Sequence, residues 1–407
     1  MKKIICVLAT MDTKGAEAAF LAECIALAGC EALLLDLGVV GEPGTKPHVS
    51  RESVASAGGQ DLAQMLKNPT RQNAVPVMIA GGIKILLERL AKGELHGVVG
   101  LGGTQGTPTC TQIMQALPYG LPKVMLSTIA SGDTGPLVDI KDITMMFSVG
   151  DILGLNSVTR MVLGNAAAAA CGMAEHGLSL ETVATDKPLI GMTNLGVLTS
   201  GAMHAIDCIH EAGYEVIVFH AVGSGGRAME QLMKEGVIGA VFDYALGEIS
   251  DELHGGFRAA NAERLTIAGK LGLPQVICPG GTEHIGLMAS APGLVPEKYK
   301  DSIHTFHNPI VFVPRLNLEE FSAVASEIAK RLQHTRGNAV MMLPLGGTSR
   351  YGVPGGELRD AAGDEAFFKT LRDGLPNTVE VVDVDTHAED PVFVEEAVRR
   401  LIGLIEA

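Results

Sequence analysis

The chain predicts an α/β protein made of two duplicated Rossmann-like domains, each a mostly parallel sheet flanked by helices. Three observations carry this expectation. Residues 187–222 repeat residues 3–38 at a constant offset of 184: Lys3 matches Lys187, Cys24 matches Cys208, and Glu31 and Glu215 each open an apolar run, EALLLDLG and EVIVFHAVG. The echo continues in GGIKILLERLAKGELHGVV and GGRAMEQLMKEGVIGAVF, and again in GLPKVMLST and GLPQVICPG. Strand-length apolar runs alternate with helical stretches, the pattern of a parallel sheet with helices on both faces. Finally, 50 glycines and only 4% aromatic residues suit close helix–sheet packing and tight strand-to-helix turns. At 407 residues the chain suits two domains, 1–184 and a larger 185–407.

The first copy reads as strand 3–10, loop MDTKG (11–15), helix 16–28 and strand 32–37. A Gly/Pro loop follows over 38–50, and Ser50, Ser53 and Asp61 mark a helix from about 51 to 66. A helix over 71–93 carries Gly81 and Gly82, a break or a close contact. Strand 97–101, helix 108–117, strands 122–127 and 143–148 and helix 151–175 complete it, and the polar stretch 174–186 is the expected boundary. The second copy has strands near 188–193, 215–220, 238–243 and 275–278. It then adds strand 310–314, helix 317–334, strand 338–344, helix 363–373, strand 378–384 and helix 391–405, which Asp390-Pro391 opens as cap and first position.

A formal net charge of −15 argues against nucleic acid and against an anionic membrane surface as partners. No run approaches the length of a membrane span. Seven cysteines without CxxC pairing fit a reduced, cytoplasmic protein. The positive mean hydropathy of +0.26 points to apolar surface shared between subunits, most simply in a homodimer.

The chemistry is expected in loops after strands. VVGLGGTQGTPT (98–109) runs a strand into Gly102, Gly103, Thr104, Gly106 and Thr107 and then a helix, so that backbone amides and hydroxyls meet a phosphate at a helix N-terminus. It lacks the GK[ST] of a Walker loop and is no clean GxGxxG. MDTKG offers Asp12, Thr13 and Lys14, and STIASGD offers Ser127, Thr128, Ser131, Gly132 and Asp133. In a parallel sheet such loops share one edge, where they form a nucleotide-type site. Lys14 would neutralise phosphate charge, and Asp133 is the candidate ligand for Mg²⁺. Taken alone, Asp12 or Thr13 would be an ordinary helix cap. In the second copy, FHAVGSGGRAM supplies Gly225, Gly226 and Arg227, and PLGGTSRYG supplies Arg350, as substrate contacts. Glu283 and His284 in PGGTEHIG are candidates for acid–base work, amid His and carboxylates that also occupy FDYALGEISDELHGG, SIHTFHNP and VDVDTHAEDP. No HxxxH or HExxH spacing supports a metal there.

These stretches, with DITMMFSVGDILGLN and FHNPIVFVPR, carry a resemblance across nearly the whole chain. The chain resembles the bacterial proteins related to the ATP-binding amino-terminal domain of the tomato mosaic virus resistance protein. The resemblance implies a two-domain α/β protein that binds ATP and dimerises, with phosphate loops at Asp12–Gly15, Gly102–Thr107 and Ser127–Asp133. Gln105 stands where that family's glycine loop more typically has Gly. The leading expectation is an ATP- and Mg²⁺-dependent enzyme that transfers a phosphoryl or adenylyl group to a small acid or sugar acid at an interdomain cleft, with Lys14, Asp133, Glu283 and His284 as catalytic residues. The alternatives are a hydrolase or lyase without ATP, built on the second-domain His and carboxylates, and a nucleotide-sensing regulatory protein.

Overall fold

A computed structural model describes residues 2–68, 70–178 and 185–407. It divides into two compact units, Met1–Ala184 and Thr185–Ala407. Part of the expected boundary, 179–184, lies outside the described residues.

The first unit holds β1 (Ile4–Ala9), β2 (Glu31–Asp36), β3 (Gly97–Gly102), β4 (Lys123–Ser127) and β5 (Thr144–Phe147). They form one sheet in the order β2-β1-β3-β4-β5, with every pairing parallel. The apolar run of β1 is buried on both faces, as central parallel strands are. Cys6 and Leu8 pack with helices Arg71–Ala91 and Gly106–Gln115, while Ile5, Val7 and Ala9 pack with helices Met11–Leu27 and Ser157–His176.

Three local expectations are corrected here, and between a break and a close contact at Gly81 the close contact holds. MDTKG is no loop: the helix begins at Met11 and runs to Leu27, with non-helical angles only at Lys14. The buried Asp36 carboxylate makes this early start possible, because its Oδ1 accepts from the Met11 and Gly38 amides at 2.9 and 2.8 Å. The helix expected over 51–66 is two, Arg51–Ala57 and Leu62–Met65, because Gly59 turns left-handed (φ 89°) and Asp61 caps a new start at Gln64 N. Gly81 breaks nothing; Arg71–Ala91 is continuous, and a Cβ there would run into the Val54 carbonyl oxygen of the neighbouring helix. The helix expected from 151 starts at Ser157, where Asn156 and Thr159 form a reciprocal cap.

The second unit repeats the topology. Its main strands are β6 (Leu189–Asn194), β7 (Val216–His220), β8 (Ile238–Ala245), β9 (Gln275–Gly280), β13 (Ala339–Pro344) and β14 (Val379–Val384). Their order is β14-β13-β9-β8-β6-β7, all parallel. From the β7 edge this is the order of the first unit, extended by a sixth strand. Between β9 and β13 lies an antiparallel sheet, β10-β12-β11, of β10 (Leu287–Met288), β11 (His304–Asn308) and β12 (Val311–Pro314). Only β12 was expected, since β10 has two residues and β11 is polar. FDYALGEISDELHGG is likewise not a loop: it completes β8 and forms helix Gly247–His254. Among the described residues no helix is long and apolar enough to cross a membrane.

In both sheets the chain reverses direction of winding between the first and third strands of the unit. In open parallel sheets, ligands bind outside the carboxyl ends of the strands at that reversal.

Candidate functional site

Each unit has a crevice at that position. In the first, a cavity of about 290 Å³ is bounded by Thr10 and Asp12 after β1, Gly38 to Val40 after β2, and Gln105 and Gly106 after β3. Its apolar wall includes Ala74, Val75 and Met78 of helix Arg71–Ala91. Asp12 Oδ2 accepts from Gly41 N at 3.4 Å, whereas its buried Oδ1 finds no hydrogen-bond partner among the described residues. Gly106 opens the helix that runs to Gln115, and Gln105 and Gly106 at its start line the crevice, which brings the positive end of the helix there; Thr107 N is spent on Gly103 O at 2.9 Å and Pro108 has no N–H. Gln105 has ordinary right-handed angles (φ −103°, ψ −42°), so this position does not require glycine.

The sequence brought Asp12 and Gly106 to this crevice, but not most of their companions. Lys14 turns away and donates through Nζ to the Ile152 carbonyl oxygen. Thr13 is exposed and donates to Thr10 O at 3.3 Å. Thr107 and Ser127 are buried and share a 2.8 Å hydrogen bond that ties the β3 loop to the end of β4. Thr128 N donates to Gly102 O at 3.2 Å, and a Cβ on Gly102 would lie 2.7 Å from Gly106 C, so Gly102 is fixed by a tight turn. Gly103 and Thr128 adjoin each other. Thr104, Ser131, Gly132 and Asp133 are exposed outside the crevice, and Asp133 Oδ1 accepts from Gly135 N at 3.0 Å in a local turn.

The second crevice, of about 210 Å³, lies at the carboxyl ends of β6, β7 and β9 under the β11–β12 hairpin. Its polar lining is His220, Arg258, His284, His307 and Tyr351; its apolar lining includes Val197, Val222, Phe257 and Val313. Arg258 Nε and Nη2 donate to Asp251 Oδ2 and Oδ1 at 2.9 and 2.7 Å. Asp251 also accepts from the amides of Arg258 and Gly286, at 2.9 and 3.1 Å. Arg258 Nη1 lies 3.5 Å from His284 Nε2. On the other side, His284 Nδ1 lies 3.2 Å from Glu283 Oε1, at ion-pair distance but out of hydrogen-bond alignment. Glu283 is fully buried and accepts from Thr348 Oγ1 at 2.6 Å and from Ser349 Oγ. Burial pushes its carboxyl up, but His284 and these two hydroxyls more than offset this and hold it at about 2. Tyr351 Oη lies 3.2 Å from His307 Nδ1, and burial raises its phenol above the ordinary value.

Glu283 and His284 are thus brought together, as their adjacency in PGGTEHIG indicated. The other second-unit candidates are placed elsewhere. A Cβ on Gly225 would strike the His220 carbonyl oxygen, and one on Gly226 would strike Glu248 Oε2. The amides of this glycine loop already hold a carboxylate: Gly223 N and Gly226 N donate to Glu248 Oε1 at 2.6 and 3.2 Å. Arg227 lies outside the crevice lining, and Arg350 is exposed, with its guanidinium over the Tyr351 ring at 5.8 Å. In FDYALGEISDELHGG, Asp243, Glu248 and Asp251 are countercharges to buried arginines. Fully buried Arg264 takes Asp243 at 2.5 Å, Glu248 at 2.7 Å and Glu230 at 3.5 Å. Burial raises Glu230 to about 7 despite the facing guanidinium. Sequence reasoning missed Arg258, which lies just beyond FDYALGEISDELHGG, and in PLGGTSRYG it singled out Arg350 rather than its neighbour Tyr351; the fold brings residues 258, 284, 307 and 351 to one wall. Among the described residues no group of three or more His, Cys, Asp or Glu is placed to hold a metal.

Comparison with known proteins adds two family models: the N-terminal domain of the uncharacterised protein family UPF0261 matches residues 3–178, and its C-terminal domain matches 187–405. A UPF0261 protein of Clostridium tetani is 38% identical over 100% of both chains. A UPF0261 protein of Rhizobium meliloti is 37% identical over 98% of each. The ToMV resistance protein Tm-1 of Solanum lycopersicum is 32% identical over 75% of this chain and 41% of its own length. A solved structure, MurG of Acinetobacter baumannii, aligns at 11% identity with a TM-score of 0.22, which carries no argument.

Proposed function

This chain belongs to the UPF0261 family, and we propose that its first unit binds a nucleotide, ATP with Mg²⁺, in the crevice between the loops after β1 and β3. One observation carries the reading: the buried, unpartnered Asp12 Oδ1 and the N-terminus of helix Gly106–Gln115 border the same cavity. A carboxylate oxygen of this kind accepts from sugar hydroxyls, and a helix N-terminus accommodates phosphate. The apolar side of helix Arg71–Ala91 suits a base. Mg²⁺ would take most of its ligands from the phosphates and water.

The same lining favours holding a nucleotide over transferring its phosphate. Among the described residues no Lys or Arg lines the crevice, and Lys14 is engaged with Ile152 O. Phosphoryl transfer depends on cations that stabilise the charge of the transferring group. The nucleotide-sensing reading therefore leads over the transferase reading for this unit. The test is calorimetric titration with MgATP of the wild type, Asp12→Asn and Gly106→Asp. At Gly106 a Cβ meets only Leu101 O at 3.7 Å, so an aspartate fits, and acids suit a first helical turn. Binding that weakens about tenfold or more in both variants supports the site. Wild-type protein that takes up no heat with MgATP sinks it, and turnover of the bound nucleotide would restore the transferase.

A further inference from the structure

We propose that the second-unit crevice is a separate binding site for a small carboxylate with an apolar body, anchored on Arg258. The inference is independent of the nucleotide reading, since it uses only residues of the second unit.

The arrangement of charge carries it. Every polar side chain that lines the crevice can donate a hydrogen bond: the Arg258 guanidinium, the Tyr351 phenol and the imidazoles of His220, His284 and His307. Among the described residues no Asp or Glu lines the crevice. The acids stand one layer behind, where Asp251 grips Nε and Nη2 of Arg258 and Glu283 faces Nδ1 of His284. Arg258 is thereby fixed in orientation with Nη1 left on the crevice side, 3.5 Å from His284 Nε2. Arg258 and His284 are only 6% and 1% exposed, so a hydrogen bond to an anion there is made in a medium poor in water, where it is strongest. Apart from Gly196 and Gly286, the rest of the lining is aliphatic or aromatic: Leu195, Val197, Val222, Phe257, Val311 and Val313. An inorganic anion would leave that wall against water. A carboxylate on a branched or aromatic skeleton covers it, in the usual pattern of an apolar pocket with a few convergent polar groups.

The experiment is calorimetric titration of the full chain with 3-methylbutanoate, benzoate and inorganic phosphate. It compares wild type, Arg258→Lys, Val311→Phe and Gly106→Asp. Arg258→Lys keeps the charge but loses the fork that Asp251 orients, and Val311→Phe fills the crevice from a half-buried strand position without touching the charged layer. The expected result is binding of at least one carboxylate to wild type and to Gly106→Asp alike. Affinity then falls about tenfold or more in Val311→Phe, and also in Arg258→Lys if that variant folds. Absence of carboxylate binding to wild type at about 10 mM overturns the proposal. So does unchanged affinity in Val311→Phe, or phosphate bound as tightly as the carboxylates. Because Gly106→Asp alters only the first unit, loss of nucleotide binding and loss of carboxylate binding are read separately.

Discussion

The two crevices occupy the same topological place in two copies of one unit, yet they are finished in opposite ways. In the first, the polar side chains are one carboxylate, Asp12, with three threonines and Gln105; in the second they are three imidazoles, a guanidinium and a phenol. One aligned pair shows how the change is made. Asp36 and His220 both end the second strand of their unit, 184 residues apart. Asp36 is buried, spends Oδ1 on the Met11 and Gly38 amides, and stands outside its crevice lining. His220 is exposed, with Nδ1 3.3 Å from Asn194 O, and lines its crevice instead. The strand order is shared while the loop side chains differ, so one fold presents two different sets of groups at the same topological place.

Four measurements would break or sharpen this contrast. The largest effect is expected from Arg264→Met, which leaves Asp243, Glu248 and Glu230 buried together; urea unfolding should show a loss of about 3–5 kcal/mol or an insoluble protein. A loss under about 1 kcal/mol would mean that the acids are protonated or hydrated in the folded state. Next is Gly81→Ala in the first unit, where the added methyl meets Val54 O; it should cost about 1–3 kcal/mol through overpacking, read from the denaturation midpoint.

The third is pH dependence, also confined to the second unit. Glu283 is held at about 2 against an ordinary 4.5, so its contribution is present above pH 4.5 and lost as pH falls toward 2. Glu230 is raised to about 7, so the native state binds the extra proton between 4.5 and 7 and stability falls as pH rises through that window. Thermal unfolding from pH 2 to 8 should therefore show a second-unit transition with a maximum between the two limbs. Glu230→Gln should flatten the upper limb, and an unchanged upper limb would contradict the assignment. The smallest effect on stability is expected from Gly106→Asp, within about 0.5 kcal/mol by chemical denaturation, although nucleotide affinity should fall about tenfold or more.

Much of the architecture was legible in the sequence, because the evidence for it is repeated. The apolar runs EALLLDLG and EVIVFHAVG became β2 and β7, and Asp390-Pro391 became the cap and first residue of the last helix. What failed was local polarity read as loop. MDTKG and GEISDELH are polar in sequence but helical in space: Asp36 takes the Met11 amide at the start of the first, and Arg264 and Arg258 pair with Glu248 and Asp251 of the second. The candidate sites were legible where neighbours in sequence remain neighbours in space, as for Glu283 and His284, or where two loops follow adjacent parallel strands, as for Asp12 and Gly106. Lys14 could not be placed, because its partner Ile152 lies 138 residues away.

The Glu248 carboxylate in the glycine loop at Gly223–Gly226 has one more consequence. That corner carries a tethered anion of its own, present at an effective concentration no solute can match. No metabolite can be diluted away from it or compete for it, so its order is independent of what the cell contains. The first unit has no such resident at Asp12, and a molecule held there would add stability as the logarithm of its concentration. In a melt that resolves both units, added nucleotide should shift the first transition and leave the second still, whereas a carboxylate held on Arg258 should shift only the second.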